Sequence, residues 1–406
     1  MKMTFCSGSW EFSRFQPRTR RSSVSVSHAR TLPCLLEALE GLTDPRKRRG
    51  IRHRLVAVPA VAVVATLGGA RNYREMGSAA EDFSPALLEL LGVRWHPFRR
   101  RRVAAGAGTI RRVLIGVDAD ALDRVIADWL RACAACDQGG WQIALDGKDL
   151  HGAWDGDGRL VLFSALVHRR RGRDPVTLAQ IAVPEGTTET TQVTTLLDDL
   201  DIDGALVTMD AAHTCAATAR HLVDNKNADY LMAVKGNREA LYAACRRVAA
   251  GLVWGGQIPH VVTETGHGRI STWTTWSTDL ADGDKVRLPY AARLAVIRRD
   301  IADLAGQPTS KEIVMMVTSR ATMTSADFHT STRGHWSIEN LEHRPRDTVW
   351  QEGDQQAYLG NGPRNTAALR NLALGALAIN GITKITETVQ KIGRHHDRAA
   401  PLLMLT

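Results

Sequence analysis

The stretch Ile143–Lys148, with the sequence IALDGK, is the part of the chain that indicates its fold most directly. An apolar run leads straight to the carboxylate of Asp146 and then to a Gly-Lys pair, which predicts a buried strand ending in a turn. The same pattern returns in Ala205–Asp210, ALVTMD, with an Ala-rich helical stretch behind it. Two strands that each end in an aspartate predict a sheet with carboxylates along one edge.

A third acid, Glu339, belongs to His335–Asn340, HWSIEN, on a predicted helix late in the chain. Taken singly, an aspartate after a strand is more often a helix cap or a turn residue. Three acids from separate elements match what hard divalent cations require, because Mg²⁺ prefers carboxylate oxygens. We therefore expect Asp146, Asp210 and Glu339 to form one metal site, in which two ions about 4 Å apart promote phosphodiester transfer.

Polar residues flank the first two acids. Lys148 follows the first aspartate by two positions and is suited to neutralise a phosphate. Lys235 and Asn237 end a further predicted strand, Tyr230–Lys235, whose end should face the same edge as Asp210. We expect all three side chains to contact DNA phosphates.

His335, Glu339 and His343 recur at i, i+4 and i+8, which places them on one face of the predicted helix. The spacing also fits a polar, solvent-facing stripe or a zinc site. Zinc is disfavoured, because two histidines eight positions apart on one helix do not share an ion and no cysteine lies near. We expect His335 and Arg346 to contact phosphate, and Pro345 to end the helix soon after Glu339.

The densest positive charge in the chain is a run of four arginines: Arg99, Arg100, Arg101 and Arg102. Trp95 and Phe98 precede it. Basic residues with interleaved aromatics on short helices suit contacts with DNA phosphates. A solvated charged face is the alternative, but four consecutive arginines beside two aromatics favour DNA.

The composition favours a polyanionic partner. The chain has 406 residues, 44% of them apolar, and a net charge of +9, so we expect two or three domains that bind nucleic acid or, less plausibly, a membrane surface. The apolar block 55–70 contains Pro59 and two glycines, so no membrane span is predicted. The six cysteines form no disulfide pattern, and the C-x-x-C at Cys133 and Cys136 suits a helix face better than zinc. A cytoplasmic location is expected.

Changes in residue pattern divide the chain into five segments. We predict a disordered basic arm (1–27), a helical DNA-binding domain (28–135), the first part of a catalytic α/β domain (140–240), a β-rich insertion (241–308), and the remainder of the catalytic domain with C-terminal helices (309–406). In the catalytic domain, three antiparallel-looking strands precede a helix–strand–helix–strand pattern. This order predicts a mixed sheet with helices on both faces.

Several blocks of the sequence resemble, in order, those of insertion-sequence DDE transposases, and most of all the H-repeat-associated group. The blocks are IALDGKDLH (143–151), VTMDAAH (207–213), YLMAVKGN (230–237), HGR (267–269) and HWSIEN (335–340). LTDPRKRRGIRHRL (42–55) with GARNYREMG (69–77) resembles the domain before the catalytic core of that group, and RNLALGAL (370–377) also fits. The matches span nearly the whole chain, and five ordered blocks are more specific than any one.

The resemblance implies an RNase H-like core interrupted by a β-rich insertion. It implies two Mg²⁺ ions, for which Mn²⁺ can substitute, held by residues that correspond here to Asp146, Asp210 and Glu339. It also implies cleavage of double-stranded DNA at transposon ends, joining to target DNA, and a homodimer in the synaptic complex. Such a protein would be associated with the nucleoid in the cytoplasm.

The sequence also departs from the pattern of related transposases. These often carry a Tyr and an Arg ahead of the glutamate and a Lys seven residues after it, where this chain has Thr332, His335 and Arg346. Two alternatives follow: a catalytically decayed, transposase-derived DNA-binding protein, or another RNase H-like nuclease. The intact acids argue against the first, and the insertion and basic N-terminal domain argue against the second.

Overall fold

The computed structural model describes residues 34–49, 51–134, 140–155, 158–168, 176–355 and 358–405. The basic arm predicted at 1–27 and Cys136 of the C-x-x-C motif lie outside these ranges. All of the described residues belong to one compact unit.

The described chain begins with helices, and most of the strands follow in its middle part. The α-helices are α1 (Leu35–Leu39), α2 (Ala57–Leu67), α3 (Tyr73–Glu81), α4 (Pro85–Leu90), α5 (Ala107–Gly116), α6 (Ala119–Ala134), α7 (Glu189–Leu197), α8 (Ala216–Arg220), α9 (Glu239–Trp254), α10 (Ser325–Ile338), α11 (Arg344–Val349), α12 (Gly362–Ile379) and α13 (Ile385–Arg394). The strands are β1 (Trp95–His96), β2 (Arg101–Arg102), β3 (Gln142–Asp155), β4 (Gly158–His168), β5 (Val176–Ala182), β6 (Leu206–Met209), β7 (Asp229–Val234), β8 (His260–Gly266), β9 (Arg269–Asp279), β10 (Arg293–Asp303) and β11 (Pro308–Thr318). Within the described ranges, none of the helices is long and apolar enough to span a bilayer.

One mixed sheet of nine strands organises the fold, in the order β5-β4-β3-β6-β7-β11-β10-β9-β8. β3, β4 and β5 are antiparallel, β6 and β7 run parallel to β3, and the remaining strands are antiparallel. Helices flank this sheet, so the predicted mixed α/β architecture is confirmed.

The strand that carries Asp146 does not end there, so the predicted turn at Gly147 and Lys148 is wrong. β3 continues to Asp155 as a hairpin with β4, in which Lys148 pairs with Leu162. The pairing between β3 and the shorter β6 stops at Ala144, two residues before Asp146. The acid therefore lies at the end of the parallel pairing, while β4 supplies the hydrogen bonds that keep β3 extended.

Strands from the segment 241–308 extend the same sheet. The segment begins within helix α9 and continues into β8, β9 and β10, which pair in sequence order. β11 then returns and pairs with β7, as predicted for Ile313–Val317. The proposed domain boundaries themselves stay predictions.

The N-terminal helices and α12 share one core with the sheet. Helix α2, AVPAVAVVATL, is buried at every position because it has no polar face. It packs against α3, α5 and α12, while α6 and α12 cover β5. The indole of Trp350 also donates a hydrogen bond to the Thr66 carbonyl (2.8 Å), which ties α2 to the end of α11.

The helix that carries Glu339 does not stop at Pro345, contrary to the prediction. Helix α10 passes into a π-helical segment, Glu339–His343, and then into α11. Pro345 is the second residue of α11, which directly follows the π-helical segment, whose wider turn departs from the regular i to i+4 hydrogen bonding that a proline disrupts. Helix α10 lies across β3, β4 and β6, so its continuation brings Glu339 over the edge that carries Asp146.

Candidate metal centre

Asp146 and Asp210 lie at matching positions just beyond the pairing between the parallel strands β3 and β6. Ala144 of β3 pairs with Thr208 of β6, and each aspartate follows its member of this pair by two residues. Side chains two residues apart in a strand lie on the same face. The Thr208 hydroxyl lies 3.1 Å from Nδ1 of His335 on α10, so this face is the one that α10 covers.

Asp146, Glu339 and His343 form a cluster whose possible ligand atoms lie within 4.8 Å of one another. Nδ1 of His343 lies 3.1 Å from Oε2 of Glu339 and 3.7 Å from Oδ2 of Asp146. The side chain of His343 is 8% exposed, whereas that of Glu339 is 73% exposed. The cluster is therefore buried on the side of His343 and open to solvent on the side of Glu339.

The π-helical segment explains how the two residues of this helix meet Asp146. Its wider turn places Glu339 and His343 at the two ends of one distorted turn, in contact with each other. Such segments are often found at functional sites. The helix also closes tightly on the sheet, because a side chain at Gly334 would collide with the ring of His168 on β4.

The surroundings of Asp146 disfavour its charged form. Burial, with smaller contributions from the nearby Glu342 and Glu189, raises the pKa of Asp146 to about 6, although His343 and the Gly147 N–H partly offset the shift. The Glu189 carboxylate lies so close to β3 that a Cβ at Gly147 would collide with it. Clustered, partly desolvated acids of this kind are stabilised as anions when a cation binds among them.

Asp210 lies next to this cluster but is not part of it. Its Oδ1 accepts a hydrogen bond from the Ala212 N–H (2.9 Å) and lies 3.8 Å from Nε2 of His213. Nε2 of the buried His213 is also 3.3 Å from Glu189, whose carboxylate lies against β3. The structure thus brings Asp146 and Glu339 together and places Asp210 directly after the neighbouring strand β6.

The donor set fits a hard divalent cation. Carboxylate oxygens from separate elements face an open side, where water and substrate oxygens can complete a coordination shell. Oε2 of the buried Glu342, beside His343, has no hydrogen-bond partner within the described chain. Asp146 and Glu339 would hold the ion, with His343 either as a further ligand or as the group that orients Glu339.

The predicted phosphate contacts differ in their surroundings. Nζ of Lys148 lies 2.8 Å from Asp347 of α11, whereas Lys235 is exposed just beyond β7. Asn237 donates to the Ala211 carbonyl (2.8 Å) and so shapes the loop after Asp210. Burial lowers the pKa of His335 to about 4, so His335 is neutral near pH 7 and cannot neutralise a phosphate by charge.

Arg346 cannot contact DNA in this structure, which contradicts the prediction for this residue. Its side chain is fully buried and pairs with Glu342 (2.8 Å) and Glu352 (2.7 Å). The same guanidinium donates to Asn371 on α12, and Glu352 pairs in turn with Arg370 (2.7 Å). We call these five residues the ion network. A buried guanidinium with two carboxylate partners has a structural role.

The four-arginine run belongs to a small hairpin and not to the short helices expected from the sequence. β1 and β2 pair around a turn in which Arg100 has a φ of 47°. Arg99, Arg100 and Arg101 are exposed, and Phe98 is 92% exposed. Arg102 instead donates to the Val93 carbonyl and pairs with Glu89. Three of the four arginines therefore remain available to a polyanion.

Sequence reasoning missed the residues that complete the acidic cluster. His343 carried a usable signal in its spacing of four from Glu339, but the same spacing also fits a solvent-facing stripe, and the pattern predicted no separate role for His343. Glu189 carried none and His213 only its place in the VTMDAAH block, since the positions of both depend on the packing of α7 and the loop after β6 against β3 and β4.

Known proteins match this chain along most of its length. A family model described as "Transposase DDE domain" matches residues 142–375, and one described as "DDE_Tnp_1-associated" matches 36–130. "Putative transposase YncI" of Escherichia coli O157:H7 is 26% identical over 356 residues, covering 86% of this chain and 88% of the relative. "H repeat-associated putative transposase YhhI" of Escherichia coli K12 is 25% identical over 370 residues, covering 86% and 92%.

Among solved structures, a piggyBac transposase synaptic complex with hairpin DNA has 9% identity and a TM-score of 0.36, covering 92% of this chain and 77% of the other. That score is too low to bear on the fold. The family model for the DDE domain, however, covers more than half of the chain and includes all three predicted acids. The protein therefore belongs to the DDE transposases and is of the H-repeat-associated type.

Proposed function

We propose that this protein cuts DNA at the ends of an insertion sequence and joins the freed 3′-hydroxyls to target DNA. The ligands of the catalytic metal ions would be Asp146, Asp210 and Glu339. The observation that carries the proposal is the convergence of Asp146 and Glu339, from distant parts of the chain, on one open acidic cluster.

The strand order supports an RNase H-like core. β5, β4 and β3 form an antiparallel meander, and β6 and β7 then add parallel to β3. In such a core the carboxyl ends of the parallel strands lie together, and a late helix brings the third acid over them. β8 to β11 would then be the insertion that interrupts the core.

The chemistry requires charge neutralisation and positioning more than covalent help from the protein. Divalent cations bound here would polarise the phosphodiester and activate the attacking oxygen, with Mg²⁺ preferred and Mn²⁺ expected to substitute. Asp146, held in a fixed strand, and Glu339, held by the π-helical segment, would fix the metal positions. Lys235, exposed just beyond β7, would orient a phosphate for in-line attack, and Lys148, on the same face of β3 as Asp146, would do so in competition with its partner Asp347.

The exposed arginines of the β1–β2 hairpin and the N-terminal helices would bind the terminal repeats. Such contacts depend on phosphate charge and hold the duplex in register. Two transposon ends react together, so the active form would be a homodimer.

The decisive experiment incubates purified protein with labelled DNA ends of its own element and Mg²⁺, and sequences the products. Asp146→Asn should abolish Mg²⁺-dependent cleavage and leave end binding intact. Asp149→Asn is the matched control, since Asp149 lies on the same strand three residues further, on the opposite face, and pairs with Arg159. Undiminished cleavage by Asp146→Asn would refute the assignment.

The wild-type products separate the alternatives. Cleavage followed by strand joining supports transposition, whereas cleavage without joining indicates another nuclease. Salt-dependent binding with no Mg²⁺-dependent product would indicate a decayed transposase that retains only DNA binding.

A further inference from the structure

A cavity of about 690 Å³ lies beside the candidate metal centre, on the part of the sheet formed by β8, β9 and β10. One wall is a face of this sheet, and the other is the helix that runs from α10 through the π-helical segment into α11. Its charged and aromatic lining includes Glu264, Arg269, Trp273, Arg299, Arg333 and Arg344.

The floor of the cavity is built around one tryptophan. Arg299 of β10 pairs directly with Trp273 of β9, and its guanidinium lies 4.6 Å from the ring centroid. Arg333 of α10 reaches the same ring at 5.5 Å. The buried Trp273 thus supports two guanidinium groups by cation–π contact and fixes their planes.

Positive charge in this cavity exceeds what the protein neutralises. Glu264 is the one carboxylate among the described lining residues, and it pairs with Arg333. Within the described chain, Arg269, Arg299 and Arg344 form no ion pair, and the buried Nε of Arg299 has no hydrogen-bond partner. Burial and the neighbouring Arg269 and Arg333 lower the pKa of the Arg299 guanidinium. Glu312, opposite Arg299 on β11, partly offsets this lowering of the pKa.

The helix connects this cavity to the acidic cluster. Arg333, Trp336, Asn340 and Arg344 follow one another at helical spacing along the wall of the cavity. Glu339, one position before Asn340, belongs to the adjacent face, which meets Asp146. A DNA strand that presents a phosphate to the acids can therefore continue past the helix into the cavity.

We propose that this cavity binds a backbone phosphate of the DNA strand that is cut, close to the phosphate at the cleavage site. The inference rests on the proposed function and assigns to it a second anchoring point. Guanidinium groups held in fixed planes recognise phosphate oxygens through paired N–H donors. The volume suits a nucleotide-sized segment better than a small free anion.

The test measures DNA binding without metal or cleavage. Binding of a fluorescent duplex of arbitrary sequence is titrated by anisotropy in EDTA across a range of salt concentrations. Removing one side chain that neutralises a phosphate should reduce the slope of log K against log salt by about one. We expect Arg269→Gln and Arg299→Gln each to give that reduction. Arg298→Gln, on the opposite face of β10, removes the same charge and should leave the slope unchanged.

Two further measurements exclude a merely structural effect. Arg269 is exposed, so Arg269→Gln should keep the wild-type melting temperature, and Arg299→Lys should restore most of the slope by keeping the charge. A wild-type protein that fails to bind DNA would count against the proposed function. Wild-type binding with unchanged slopes for Arg269→Gln and Arg299→Gln would overturn this inference alone.

Discussion

Two charged clusters lie within one turn of each other on the same helix, and they differ in how their charge is balanced. In the ion network, Glu342 and Glu352 are neutralised by Arg346 and Arg370, and all four side chains are at most 4% exposed. In the acidic cluster, Glu339 is 73% exposed and shares a histidine, His343, with Asp146.

One carboxylate of each cluster has a shifted pKa, and the two shifts have opposite signs because the described arginines surround Glu352 and not Asp146. Burial alone would raise the pKa of Glu352, but Arg346 and Arg370 lower it to about 2. Burial raises the pKa of Asp146 to about 6, and no arginine of the described chain is close enough to reverse the shift. A buried carboxylate with arginine partners destabilises the fold when a partner is removed, whereas one left without a cation is suited to bind a cation from solution.

Neutral replacements of two glutamates three positions apart should show the difference between the two clusters most clearly. Glu339→Gln should lower the rate of Mg²⁺-dependent cleavage by about three orders of magnitude with little change in melting temperature, because the side chain is exposed. Glu342→Gln should lower the melting temperature by several degrees, since it leaves Arg346 with one carboxylate. Wild-type cleavage by Glu339→Gln would contradict the role given to the acidic cluster.

Removing the central arginine of the ion network should cost the most stability. Arg346→Met leaves Glu342 buried without its cation, and breaking a buried pair in this way costs about 3 to 5 kcal/mol. Urea unfolding measures the loss, and Arg344→Met, two positions earlier and exposed, should change stability by less than about 0.5 kcal/mol. Near-wild-type stability of Arg346→Met together with weakened DNA binding would reinstate a phosphate contact for Arg346.

The ion network also predicts a pH dependence. The lowered pKa of Glu352 means that its stabilisation is present above the usual value of 4.5 and is lost as the pH falls towards 2. The free energy of unfolding of wild type should exceed that of Glu352→Gln at pH 7, by roughly 3 kcal/mol. Urea unfolding at a series of pH values should show this difference shrinking below pH 4.5, and a constant difference would contradict the pairing.

Local patterns in the sequence predicted where the strands lie along the chain and which acids they carry. An apolar run and the residues that end it can be recognised from the neighbouring sequence alone. β6 ends at Met209, directly before Asp210, as the pattern indicates. The extension of β3 past Asp146 was not predictable locally, since it depends on pairing with β4.

The sequence also could not separate Glu342 and Arg346 from the residues of the acidic cluster. Both lie on the same helix as Glu339, and what distinguishes them is burial against partners that come later in the chain. Arg346 is enclosed because Glu352 and Asn371 approach it from the segment after α11 and from α12. A basic residue near a catalytic acid therefore predicts a phosphate contact only where the fold does not enclose that residue among buried partners.

The smallest effect is expected at Pro345, which the sequence alone presents as the end of the helix. Helix α11, of which Pro345 is the second residue, directly follows the π-helical segment, and the fixed φ of proline suits the α-helical backbone that continues through it. Pro345→Ala should therefore lower the free energy of unfolding by less than about 1 kcal/mol and leave helical circular dichroism unchanged. A clear gain in helicity would mean that proline does interrupt the helix. Unchanged cleavage by the variant would show that the π-helical segment, and not Pro345, sets the position of Glu339.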